Sequence, residues 1–121
     1  MDMTEVIYKI CPRSLWQTAK SAGQFKGAPI DLEDGYIHFS TSKQVVETAR
    51  KHFKGQDDLL LLTISVKELE SCPHEIKWEP SRGGDLFPHL YGPMPLDAVV
   101  KSEELAMDAE GYHHFPAFVT Q

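Results

Sequence analysis

The chain opens on an alternating stretch. In EVIYKI, residues 5–10, Val6, Tyr8 and Ile10 alternate with Ile7 and Lys9, which predicts a first strand. Pro12 suits the first turn of a helix, where a missing amide costs no hydrogen bond. SLWQTAKSAG follows, with Leu15, Ala19 and Ala22 on one helical face and Gly23 as a stop. Residues 24–34 contain Gly27, Pro29 and acidic residues, and read as irregular. GYIHFS, residues 35–40, predicts a short strand that sends Ile37 and Phe39 into the core and Tyr36, His38 and Ser40 the other way. Thr41-Ser-Lys-Gln44 matches a capping box. The helix it opens runs to about Phe53, with Val45, Ala49 and Phe53 on one face. Lys51, His52 and Lys54 sit at its negative end, and Gly55 closes it.

DLLLLTISV, residues 58–66, is apolar nearly throughout and predicts a central strand buried on both faces. Val66 to Ser71 reads as a turn or short helix, and Ile76 to Glu79 as a brief strand. PSRGGDLFPHLYGPMP, residues 80–95, holds too many prolines and glycines for long regular structure. A long loop inside a compact domain is usually functional or mobile. Residues 97–105 predict another strand, and the aromatic tail either packs as a last strand or frays. No internal repeat or linker is visible. The expectation is a small single α+β domain, residues 1–121, with a core over about 5–105 and an aromatic tail at 106–121. Its sheet is expected to be split, mixed or antiparallel, with two main helices.

Charge narrows the partners. A net charge of −6 opposes sequence-independent binding to nucleic acid, which needs a cationic face. It also opposes docking on anionic membranes. Cys11 and Cys72 have no zinc spacing. One disulfide between them is conceivable, but two reduced thiols in a cytosolic protein is the preferred reading. The N-terminus lacks signal-peptide features, and Leu59 to Val66 is too short to span a bilayer. The expected compartment is therefore cytoplasmic, the expected partner a small anionic ligand or nucleotide, and the expected assembly a monomer or weak dimer.

Candidate chemistry concentrates in WEPSRGGDLFPHLYG, residues 78–92. Arg82 supplies a planar fork of donors for phosphate or carboxylate. Gly83 and Gly84 let a ligand approach the backbone, with Ser81 beside them. Trp78, Phe87, His89 and Tyr91 are stacking candidates for a base or nicotinamide ring. Glu79 suits a ribose hydroxyl or a general base. The bland alternative is a surface loop pinned by its aromatics, with Arg82 paired to Asp85 or Glu79. Farther back, Ser40 and Thr41 lie where a strand enters a helix, an end that favours anions; their alternative role is capping. His38, two residues from Ser40, is either an acid–base candidate or a satisfied structural histidine. His113 and His114 are adjacent, so on a strand they point to opposite faces, and no metal site is predicted. No phosphate loop or nucleophile elbow is present.

The segments IYKI, DGYIHFSTSKQVVETARKHF, DLLLLTISV and WEPSRGGDLFPHLYGPMPLDAVV resemble a family of small bacterial proteins known only as domain of unknown function 952, over residues 6–100. That group is similar, more distantly, to ADP-ribosyltransferases and RNA 2′-phosphotransferases, which bind NAD in a cleft of a split α+β sheet. The likeness implies that Tyr8-Lys9 stands at the nicotinamide-ribose site. Gly35 to Ser40 looks like the G-x-Y-F-S pattern that ends a second strand in those enzymes. His89 stands near where that superfamily carries a glutamate, a departure that matters because a carboxylate stabilises the positive charge developing on the ribose. Glu79 replaces it if the loop folds back. The phosphotransferase branch relies on arginine and histidine, as Arg82 and His89 could supply. NAD is thereby a candidate substrate, not a resident cofactor. Three readings stay open: a nucleotide-directed transferase using His38, Glu79, Arg82 and His89; a non-catalytic module for a small anion; and an interaction protein whose aromatic loop is a hot spot.

Overall fold

The computed structural model describes residues 5–81 and 83–120. In chain order the elements are β1 (Val6–Pro12), α1 (Arg13–Ala22), β2 (Gln24–Phe25), α2 (Pro29–Asp34), β3 (Ile37–His38), α3 (Val45–His52), β4 (Leu59–Ser65) and α4 (Val66–Ser71). Then come β5 (Ile76–Pro80), β6 (Leu86–Leu90), β7 (Met94–Pro95), β8 (Val99–Met107) and β9 (His113–His114). The fold is α+β, and each strand pairing among the described residues is antiparallel.

The apolar run of β4 explains the architecture. All seven of its residues are buried, because it is an inner strand of the sheet β1-β4-β8-β9 and is covered on both faces. On one side Ile7, Cys11, Leu60, Leu62 and Ile64 pack with Trp16 and Ala19 of α1 and with Ile37 and Leu90. On the other, Tyr8, Ile10, Leu59 and Leu61 pack with Val45 and Ala49 of α3. A second sheet, β3-β6-β5, joins the edge of β1 through one bridge, with reciprocal backbone bonds between Tyr8 and Ser40 of 2.7 and 2.9 Å. The strands are therefore divided between antiparallel sheets, consistent with the expected α+β class. The two longer helices, α1 and α3, are accompanied by two six-residue helices. Among the described residues, no helix is long and apolar enough to cross a membrane.

Three expectations need correction, and the alternative left open for the tail is decided. The buried face of α1 is Trp16 and Ala19 with Leu15 beside them; Ala22 is exposed because the helix ends there, at Gly23 with φ 87°. Residues 24–34 are ordered as β2 and α2. Pro29 takes the first helical position, and Asp31 turns back to accept the Ala28 amide at 2.7 Å, so Gly27 and Pro29 frame a helix start. Residues 80–95 hold a five-residue strand despite Pro88. The missing amide of Pro88 falls on the side of β3, which is only two residues long, so the cost to the ladder is small. The tail packs: Val119 is 1% exposed in the core beneath α3, with Phe115 and Phe118 against it. Both cysteines are free thiols, Cys11 buried.

Candidate functional site

The second sheet carries a polar and aromatic face. Its parity follows from register: His38 lies directly opposite His89, Lys77 opposite His89 on the far side, and Glu79 opposite Phe87. Ile37 and Leu90 point the other way, into the core. The neighbouring Phe39 amide bonds the Pro88 carbonyl at 3.0 Å, so the His38–His89 pair occupies a non-hydrogen-bonded position, where side chains approach most closely. Their rings meet edge-on, 5.2 Å between centroids.

Each histidine is held by its own carboxylate. His38 Nδ1 is 2.6 Å from Asp31 Oδ1, and its Nε2 is 3.0 Å from Asp34 Oδ2. His89 Nδ1 is 2.7 Å from Glu79 Oε1. With that Nδ1–H donating to the carboxylate, Nε2 of His89 is left as the basic nitrogen, and no other described residue bonds it. Tyr91 donates to the same Glu79 oxygen at 2.7 Å. That bond pushes the Tyr91 hydroxyl up to about 12. The bonds from Tyr91 and then His89 hold the Glu79 carboxyl below its ordinary value. Tyr36 lies in the middle, stacked on His89 at 4.2 Å and tilted against His38 at 4.7 Å and Tyr91 at 5.1 Å. Burial, with the charges of Asp34 and Glu79, raises its hydroxyl.

Behind His38 sits a buried ion pair. Lys9 Nζ is 2.8 Å from Asp31 Oδ2, and the residues are 6% and 1% exposed. Burial alone would push Asp31 up, but the hydrogen bond from His38 and the charge of Lys9 outweigh it and hold the carboxyl at about 2. Burial draws the Lys9 ammonium down, against the pull of Asp31. Asp31 also accepts the amides of Ala28 and His38, so β1, the start of α2 and β3 converge on one carboxylate. Gly27, at φ 119°, is required here: a Cβ on it would stand 2.8 Å from the Cβ of Asp31.

A cleft of about 270 Å³ opens beside Tyr36, with Asp31, Leu32, Lys26 and Pro93 on its walls. A larger concavity of about 520 Å³, walled by Arg13, Asp58 and Glu104, contains none of the groups described above.

The residues singled out in the sequence divide accordingly. His38, Glu79, His89 and Tyr91 come together. Phe87 shares their face by register. Tyr8 does not: neighbouring residues on a strand alternate, and Tyr8 is in the core beneath α3 while Lys9 reaches the cluster. Trp78 is on the opposite face of β5 from Glu79 and is 38% exposed. The Ser40 hydroxyl bonds Thr48 of α3 at 3.0 Å. Thr41 gives its amide to Gln44 at 3.0 Å, one half of the expected box. Ser81, Gly83 and Gly84 form the tight turn of the β5–β6 hairpin, where Ser81 N–H bonds Asp85 and Gly84 adopts φ 90°. The amides of Ser81 and Gly84 serve the turn. Arg82 lies outside the described residues. Asp31 and Asp34 complete the cluster and were not among the candidates, while Lys9 was named only through the resemblance and Tyr36 only as facing away from the core. The legible signal was Lys9, a single cation inside an apolar strand.

The molecule has solved relatives. The crystal structure of CC0527 from Caulobacter crescentus is similar with a TM-score of 0.88 and 41% identity, over 96% of this chain and 99% of that one. The solution NMR structure of CC0527 gives a TM-score of 0.76 at 45% identity, over 88% and 90% of the two chains. A comparison with the curated proteins found no match. The model of one family, described as "Protein of unknown function (DUF952)", matches residues 10–102, across β1 to β8 and hence both sheets and the histidine cluster, and the chain belongs to that family.

Proposed function

We propose that the polar face of β3-β6-β5 is an acid–base site for a small nucleotide-like ligand, and that its reaction is of the glycosyl- or phosphoryl-transfer class. The observation that carries this reading is the pair of histidines 5.2 Å apart, each oriented by its own carboxylate, with Nε2 of His89 free of any described partner. A histidine fixed through Nδ1 presents Nε2 as a base of defined direction. His38, with both ring nitrogens against carboxylates, fixes the wall of the face opposite His89. Asp31 is offset by Lys9, so the charge near His38 is less negative than its two acidic neighbours suggest. Tyr36 and the adjoining cleft offer a flat surface for a ring. Glu79 beside His89 supplies the carboxylate that the ADP-ribosyltransferase-like resemblance would place nearby.

Amide NMR titration with NAD, ADP-ribose, AMP and nicotinamide tests the reading. Saturable shifts are expected at Tyr36, His38, His89 and Gly92 with at least one of the four, and His89→Gln should abolish turnover of that ligand while binding persists. If none of the four moves those residues, the site does not take nucleotides. Binding without turnover under varied acceptors would leave a binding module in place of an enzyme.

A further inference from the structure

Strand β5 is the outer edge of the sheet β3-β6-β5. Two backbone bonds set the direction of its peptide groups: Tyr91 N–H to the Glu75 carbonyl at 2.8 Å, and Ser81 N–H to the Asp85 carbonyl at 2.9 Å. Antiparallel pairs alternate between bonded and non-bonded positions. Glu75, Lys77, Glu79 and Ser81 therefore turn their backbone groups toward β6, and Ile76, Trp78 and Pro80 turn theirs away. The outward N–H and C=O of Trp78 meet no other described backbone group. On the same face, the Trp78 side chain is 38% exposed, and Leu86, opposite Pro80, is 52% exposed. An open edge beside exposed apolar side chains invites strand addition.

We propose that β5 pairs antiparallel with β5 of a second copy of this chain, on a two-fold axis through Trp78. The register makes the strand complementary to itself. Trp78 opposes the partner's Trp78 in a hydrogen-bonded pair, and the Ile76 amide reaches the carbonyl of the partner's Pro80. Pro80 gives no amide, so each Ile76 carbonyl stays open to water and that pair contributes one bond in place of two. Lys77 falls opposite the partner's Glu79, and the symmetry repeats that pair. A two-fold centred on Lys77 or Glu79 would instead oppose like charges and present backbone groups that already bond β6. The pairing also sets the partner's Lys77 beside Glu79, the carboxylate that holds His89 and Tyr91, so each copy adds a cation to the other's cluster. The interface stands whether or not that cluster turns over a ligand.

Sedimentation equilibrium from micromolar to millimolar concentration tests the assembly, and engineered thiols test the register. In a Cys72→Ser background, Trp78→Cys should oxidise to a disulfide-linked dimer, because opposed bonded residues have Cα atoms about 5.5 Å apart, within a disulfide's reach. Pro80→Cys, which faces the partner's Ile76, should not. Lys77→Glu should weaken the dimer about tenfold by opposing like charges twice. Adding Glu79→Lys to it should restore association, with circular dichroism confirming that the swapped pair is folded. A wild-type monomer at millimolar concentration overturns the proposal. So does a dimer in which Lys77→Glu has no effect, or in which Trp78→Cys crosslinks no faster than Pro80→Cys.

Discussion

The two carboxylate–histidine pairs look alike and are built differently. Asp31 is buried, 1% exposed, and receives a lysine, a histidine ring and two backbone amides. The Glu79 side chain is 33% exposed and, among the described residues, receives a tyrosine and a histidine. The first pair spends its bonds joining β1, α2 and β3, and both ring nitrogens of His38 are engaged. The second leaves Nε2 of His89 without a described partner. Burial thus separates a carboxylate that holds the fold from one that orients a base, although each sits 2.6 to 2.7 Å from its histidine.

The largest expected effect breaks the first pair. Asp31→Ala leaves the Lys9 ammonium buried and unpaired, which should cost on the order of 3–5 kcal/mol in urea unfolding. Lys9→Met with Asp31→Leu should recover the part of that loss due to the unpaired ammonium, but not the part due to the Ala28 and His38 amides, which lose their acceptor. Glu79→Gln should leave the urea midpoint nearly unchanged while weakening any ligand response at His89. Comparable losses at Asp31 and Glu79 would erase the distinction.

Acid gives the next effect. The folded-state value of Asp31, about 2, lies below its ordinary 3.8, so the unfolded chain binds the proton more readily. The resulting stability is present in full above the ordinary value and is lost as pH falls through the window down to about 2. The loss should amount to roughly 2 kcal/mol in wild type, and should be absent from the pH profile of the doubly substituted Lys9→Met, Asp31→Leu protein. Equal acid sensitivity in the two proteins would place the responsible carboxylate elsewhere.

The smallest effect is spectroscopic. The Tyr91 hydroxyl, held up to about 12 by its bond to Glu79, should ionise late in an alkaline absorbance titration. In Glu79→Gln it should return toward the ordinary value of 10. An unchanged titration would mean that this bond does not form in solution.

Much of the fold was legible because its signals are local. The apolar run at Leu59–Ser65 announced an inner strand, and the parity of Ile37, His38 and Phe39 announced a core face and a polar face. The site was legible by halves. Alternation along one strand places His38, and alternation along another places His89, but the register between strands is a tertiary fact. Gly27 and Pro29 looked like breakers because their helix start is completed by Asp31, whose charge is held by His38 and by Lys9, twenty-two residues earlier.

Taken alone, the amino-acid sequence determined the strand parities, the buried central strand, the buried face of α3 and the histidines, tyrosines and glutamate available to one face. Only the tertiary structure decided which of them meet. It turned Tyr8 into the core and Lys9 toward Asp31, folded residues 76–90 into a hairpin that sets Glu79 on His89, and left Trp78 on an open edge. The reason is physical. Parity and propensity are set by neighbours along the chain, whereas a buried charge or a carboxylate–histidine contact exists only once separate strands are in register and water is excluded.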